Sequence, residues 1–400
     1  MSRAVTEPQV ERFDPRAKRT VGGAFLAMFT VFGVAYSFGV FFDPMAAELG
    51  ASRSATSAVF SITAFAYFSL GMVSGRLVDR VGPRRVLITG ALAMGIGLAL
   101  TSRVGAMWMG YITYGAGVGI GVACGYVPMV AIVGGWFDRG RAFALGIAVA
   151  GIGLGTLVVP PIGAALVDAH GWRTTYLVFA AGSALAMLVA AAMTSPPPVL
   201  ALGEAPKLSA SVRTPAFACL YASGLLMSLA MFQVFVYLVP FAEDEGVDRV
   251  PAAALVGVVG GASIVGRLGL GFVAERLGRV RVYRACFFVM ASSFGLWLLA
   301  GGYPALVAFA VIFGVGYGGF IALSPAVVAE LFGSVGMGSV VGTLYTSAAV
   351  GGLLGPPLAG AVIDAAGYPT AITGSLVIAL AAWAVLIPLG RNATPGPKGS

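Results

Sequence analysis

Twelve long apolar runs, each closed off by charge, glycine or proline, dominate this chain. They cover residues 20–46, 55–77, 84–102, 106–135, 141–167, 174–195, 216–242, 251–275, 281–300, 304–332, 336–363 and 369–390. About 20 apolar residues in helical form match the hydrocarbon thickness of a bilayer. Backbone amides in lipid must be satisfied within the segment, so each run is predicted to be a helix. The ten-residue alternation of a barrel strand is not found. Composition agrees: 58% of the 400 residues are hydrophobic, 10% are charged, and the mean hydropathy is +0.94. No water-soluble domain needs that much apolar surface. The 58 glycines suit close helix packing through small residues.

Charge sets the expected topology. Nineteen of the 24 basic residues fall before helix 1, in loops 2–3, 4–5 and 8–9, in the central connection, or after helix 12. Only Arg53, Arg103, Arg173 and Arg249 fall on the other side. An excess of this size predicts that both termini are cytoplasmic in a multi-pass cell (inner) membrane protein. The net charge of +8 therefore reflects topology and not affinity for nucleic acid. The basic N-terminus precedes an apolar run of about 22 residues, too long for a signal core, so helix 1 is expected to be retained. The three cysteines, Cys124, Cys219 and Cys286, lie in apolar runs, which argues against a disulfide framework or metal site.

Residues repeat at a fixed offset of 196. Pro44, Gly50 and Arg53 recur as Pro240, Gly246 and Arg249; Gly82 and Arg85 recur as Gly278 and Arg281. Pro160-Pro161, Asp168 and Gly171 recur as Pro356-Pro357, Asp364 and Gly367. The expected fold is an all-α membrane protein of 12 transmembrane helices, in two six-helix bundles related by pseudo-twofold symmetry. The expected units are a cytoplasmic tail 1–19, a first bundle 20–195, a linker 196–215, a second bundle 216–390 and a cytoplasmic tail 391–400. Such a repeat places a substrate site near the midplane, between the bundles.

Arg267 stands out against this background. It is the only charge in Ala252–Val273, and no acid lies within one turn of it. An ionised side chain at bilayer depth survives where it faces a cavity or a partner. An anionic substrate would supply that partner; an acid on another helix, or snorkelling to the interface, would also account for it. Its counterpart in the first half is Gly71, so the arginine breaks the repeat, which suits a site more than a scaffold.

Loop 2–3 reads Gly75-Arg-Leu-Val-Asp79-Arg80-Val-Gly82-Pro-Arg84-Arg85, and Gly271–Arg281 holds a second copy. This resembles the loop signature of the major facilitator superfamily and implies gating roles for Asp79, Arg80 and Arg85, and for their echo Glu275 and Arg276; Glu330, near the inner end of helix 10, is a further gating candidate. Further stretches narrow the likeness. Tyr36–Pro44 closes helix 1, Trp136–Gly151 spans loop 4–5, Gly355–Asp364 closes helix 11, Glu330–Gly333 closes helix 10, and Gly266-Arg267-Leu-Gly-Leu-Gly271 lies in helix 8. Together they look like the monocarboxylate transporter family and the related oxalate/formate exchangers. The resemblance implies that Arg267 binds the substrate carboxylate. A guanidinium suits that role, because it stays charged and its planar fork matches a carboxylate.

Departures from the family pattern also count. The motif that precedes helix 1 in animal members is absent, Tyr36 replaces their lysine, Ser263 replaces their helix 8 acid, and helix 11 has no lysine. A single cationic site favours a monoanion over a dianion. Asp43 is the proton-coupling candidate, although an exposed acid at a helix end would look the same. Substrate-binding candidates beside Arg267 are Tyr126, Cys124, Tyr36, Gln233, Tyr237, Ser263, Tyr317 and Tyr345, and each tyrosine could equally pack between helices. The expected function is secondary active transport of a small monocarboxylate such as lactate or pyruvate, by alternating access and with proton symport. Anion exchange and export of hydrophobic compounds are the alternatives. The expected partners are the carboxylate, protons and the lipid bilayer, with no nucleic acid, and the protein is expected to work as a monomer. Neither a nucleophile–base pair nor a cofactor or metal motif appears, so an enzyme is not expected.

Overall fold

The computed structural model describes residues 14–137, 140–197, 212–333 and 337–390. Residues 1–13 of the expected tail 1–19, 198–211 of the expected linker 196–215, and the expected tail 391–400 lie outside the described residues. Twelve helices follow one another: α1 (Pro15–Leu49), α2 (Arg53–Val81), α3 (Pro83–Thr101), α4 (Met107–Trp136), α5 (141–170) and α6 (172–193), then α7 (Pro215–Asp244), α8 (Arg249–Leu277), α9 (Arg279–Leu298), α10 (Tyr303–Phe332), α11 (337–366) and α12 (368–385). No strand occurs among the described residues.

Length and hydropathy alone mark nine spans among the described residues. Two of these are pairs of helices joined through one glycine. Gly171 (φ 75°) separates α5 from α6, and Gly367 (φ 79°) separates α11 from α12. The remaining helix, α9, opens with Arg279, Arg281 and Arg284, which lower the mean hydropathy of a span that still crosses.

Local chemistry fixes the ends. Ser52 caps α2 through the Ala55 amide at 3.2 Å, and Thr214 caps α7 through Phe217 at 3.2 Å. Prolines open α1, α3 and α7, where the missing amide proton costs nothing. The 196-residue repeat is visible in the backbone. Gly50 and Gly246, Gly82 and Gly278, and Gly171 and Gly367 all take positive φ at equivalent turns, a conformation that a side chain would strain. Equivalent close approaches recur as well. Gly155 on α5 meets the backbone of Phe29 on α1, and Gly351 on α11 meets the backbone of Leu225 on α7, at the same offset. A Cβ at either position would collide with the neighbouring helix.

The two halves touch along α5–α8 and α2–α11. Gly260 on α8 packs on the carbonyl of Gly153 on α5, and Gly352 on α11 packs on Ala64 of α2. Where the halves diverge, a cavity opens that is lined from both.

Candidate functional site

Two helix breaks shape the cavity. In α1 the helix breaks at Ser37, whose hydroxyl turns back to the Gly33 carbonyl at 2.6 Å. In α4 it breaks at Tyr126 (φ −106°, ψ −76°), because Pro128 has no amide proton for the Cys124 carbonyl. These breaks leave Tyr36 and Tyr126 near mid-depth. Tyr36 lies face to face on Phe235 of α7, with ring centroids 4.0 Å apart, and its hydroxyl shares a hydrogen bond with Tyr317 of α10 at 2.8 Å. That phenol pair bridges the two halves.

Arg267 lies beside this pair and is not among the residues that line the cavity. Its Nη1 donates to the Val149 carbonyl on α5 at 2.8 Å, so the arginine too spans the halves. Its Nε and Nη2 are buried and have no partner among the described residues. No acid pairs with it there; its polar neighbours are the neutral phenols of Tyr317, Tyr126 and Tyr36. Removing a guanidinium from water costs on the order of several kcal/mol. One neutral carbonyl offsets only part of that, and Nε and Nη2 are left as unused donors.

The other candidates separate into two groups. Tyr36, Tyr126, Tyr317 and Tyr345 line the cavity. Cys124, Gln233, Tyr237 and Ser263 do not. Cys124 packs on α3, where a Cβ at Gly90 would come within 2.7 Å of it. Gln233 bonds Ser375 on α12, and the Tyr237 hydroxyl donates to the Pro356 carbonyl at 2.9 Å. Ser263 bonds its own helix at Gly260 and abuts Gly318 of α10. Buried polar groups find hydrogen-bond partners, and these four find theirs, or their packing, between helices. Tyr67 on α2 and Tyr283 on α9 were not among the candidates, yet both line the cavity.

A second cluster closes the face opposite the termini. Arg53 on α2 reaches Asp244 on α7 at 2.9 Å, Asp364 on α11 at 3.9 Å and the Tyr368 hydroxyl on α12 at 2.8 Å. Arg249 on α8 reaches Asp168 on α5 at 2.6 Å and Glu243 at 3.1 Å. Arg53 and Arg249 are repeat mates, as are Asp364 and Asp168, so the cross-half pairs obey the pseudo-twofold axis. Asp43, the proton-coupling candidate, sits in the first cluster, 3.9 Å from Arg53. At the termini face Asp79, Arg80, Arg85, Glu275, Arg276 and Glu330 are exposed and form no ion pair among the described residues.

The Major Facilitator Superfamily model matches residues 24–302 and 260–400. Rat monocarboxylate transporter 3 is 33% identical over 366 residues, covering 85% of this chain and 73% of that protein. Mouse monocarboxylate transporter 4 is 30% identical, covering 84% and 76%.

This chain belongs to the monocarboxylate transporter family of the major facilitator superfamily.

An MFS-type transporter 1 of the fungus Ophiocordyceps is 28% identical over 98% of this chain and 90% of its own. A solved structure of a bacterial homolog of the human lysosomal transporter Spinster, inward-facing and occupied, superposes with a TM-score of 0.77 at 15% identity. It covers 96% of this chain and 100% of its own, which shows a shared fold. A member of this family is a membrane transporter and not an enzyme. For a transporter, the cavity between the halves is the natural substrate compartment.

Proposed function

We propose that this chain is a secondary transporter of a small organic monocarboxylate, with Arg267 as the carboxylate ligand. One observation carries the reading: a buried guanidinium between the halves with two donor groups unpartnered among the described residues. Tyr36, Tyr126 and Tyr317, the phenols grouped with it, are the second donors. A carboxylate there would contact both halves, so occupancy would favour their closing together, which is what alternating access requires. The names of the mammalian relatives support the substrate class.

The basic residues, nineteen on the termini side, support placing both termini in the cytoplasm of a cell membrane. The cavity wall reaches from Tyr36 at mid-depth to Leu220, Val328 and Leu344, near helix ends at that face. With the opposite face stitched by Arg53 and Arg249, this conformation is the one open to the cytoplasm. Family resemblance supports proton symport, with Asp43 as the acid to test. The lining residues include no acid, and this favours anion exchange as the second reading.

The decisive experiment is uptake of labelled lactate or pyruvate into proteoliposomes, with and without an imposed pH gradient. Arg267→Gln should lose about 100-fold or more of the uptake rate, in line with a charge-assisted bidentate pair left unmade. The variant protein should remain monodisperse, and Arg267→Lys should recover a part. Full uptake by Arg267→Gln refutes the assignment.

A further inference from the structure

The wall of the cavity is far more aromatic than a two- or three-carbon acid requires. Phe32, Tyr67 and Phe68 face it from the first half, and Phe232, Tyr283 and Phe320 from the second, beyond the tyrosines next to Arg267. No acid, lysine, arginine or histidine is among the lining residues, and the non-aromatic polar groups are Ser228, Ser324 and Ser347. The rings touch one another, tilted or edge to face, and Phe32, Tyr67 and Phe232 are themselves buried. Phe68 and Tyr345 stand 5.6 Å apart at 57°, Phe32 and Tyr126 5.3 Å apart at 88°, and Tyr283 and Phe320 5.8 Å apart at 36°. Tilted rings around this cavity present faces and edges to a guest. The Ser228 hydroxyl is buried on this wall without a partner among the described residues.

Resting on the reading of Arg267 as the carboxylate ligand, we propose that the preferred substrates are aromatic monocarboxylates, compounds with one carboxylate and an aryl body. The carboxylate takes Nε and Nη2 of Arg267. The aryl group extends past Tyr36 and Tyr126 into the space between Phe32, Phe68, Phe232 and Phe320. Because these rings come from both halves, the guest's apolar part joins the halves as its carboxylate does. Lactate would pair with Arg267 and leave the aromatic wall facing water. Burying one phenyl ring adds about 50-fold in affinity over an acid that lacks it. A dianion would leave its second charge against rings, and a neutral amide would leave Arg267 unpaired; both are selected against.

Calorimetric titration of the detergent-purified protein at neutral pH tests this, with protein-free micelles as the blank for partition and Arg267→Gln protein as a second sample. The probes are phenylacetate, lactate, phthalate and phenylacetamide. The expected order is phenylacetate about 10- to 50-fold tighter than lactate, with phthalate and phenylacetamide weaker than phenylacetate by a comparable factor. Phe68→Ala and Phe320→Ala, made separately, should each cut the phenylacetate-to-lactate ratio about five- to tenfold. Equal affinity for lactate and phenylacetate, both lost in Arg267→Gln, overturns the aromatic preference and leaves the carboxylate reading standing. Phenylacetamide binding as well as phenylacetate, unchanged in Arg267→Gln, overturns the carboxylate reading and this proposal with it.

Discussion

The two ends of the molecule treat charge in opposite ways. At the face away from the termini, arginines of one half sit on acids of the other: Arg53 with Asp244 and Asp364, and Arg249 with Asp168. At the termini face, Asp79, Arg80, Arg85, Glu275, Arg276 and Glu330 are exposed and unpaired among the described residues. Both ends derive from the same repeat, and both carry acids and bases enough to pair. What differs is whether the halves are close enough for the charges to meet. A rocking transporter needs this asymmetry, because pairs formed at one end must be given up when the other end closes. The closed end is also held by a hydrogen bond from Arg53 to Tyr368 and a cation–π contact at 5.1 Å between the same groups.

The largest effect should come from making the closed end permanent. Arg249→Cys with Asp168→Cys, in a background without Cys124, Cys219 and Cys286, places two thiols where a 2.6 Å ion pair now stands. A cleavable thiol cross-linker should stop uptake, and reductant should restore it. Uptake that survives cross-linking would mean that this face need not open, and the comparison of the two ends would fail.

Weakening the same pair should act more gently. Both side chains are partly exposed, so screening discounts the Coulomb gain. Arg249→Ala and Asp168→Ala should each raise the population open at this face, read from spin-label distances between the halves. In a double-mutant cycle the coupling should be about 0.5–1 kcal/mol. Glu243 also holds Arg249, so Arg249→Ala should shift the balance further than Asp168→Ala. Equal shifts would remove Glu243 from the clamp.

Much of this comparison could be read from the chain before the fold was known. The pairs Arg53/Arg249 and Asp168/Asp364 are repeat mates in the sequence, but nothing in it says that the base of one half meets the acid of the other. The helices were legible because lipid demands long apolar runs. Gly171 and Gly367, which end α5 and α11, were visible as repeat mates too. Arg267 was legible because no acid lies near it; its contact with the Val149 carbonyl on α5 was not, since any backbone carbonyl reads alike. Gln233 and Tyr237 do share a face, as their spacing requires. That face turns to α11 and α12, since rotation about a helix axis is set by neighbours and not by spacing. Tyr67 and Tyr283 were missed for related reasons: Tyr67 sits among Ala66 and Phe68 and reads as packing, while Tyr283 sits beside Arg281 and Arg284 and reads as interfacial.

The smallest effect should come from the open end. Asp79→Asn and Glu330→Gln remove charges that are exposed and make no ion pair here. Substitutions of that kind change stability by about 0.5 kcal/mol or less. Thermal unfolding in this conformation should therefore hardly move, whereas turnover should slow if these acids latch the termini face once it closes. The two readouts separate a latch from an anchor, because an anchor acts equally in both conformations and would leave turnover unchanged. Should Asp79→Asn instead lower thermal stability as much as Asp168→Ala does, the termini face would already be stitched in this conformation. The asymmetry between the ends would then be one of degree, and the cavity would have to open by a route other than the parting of α2, α8 and α10 at that face.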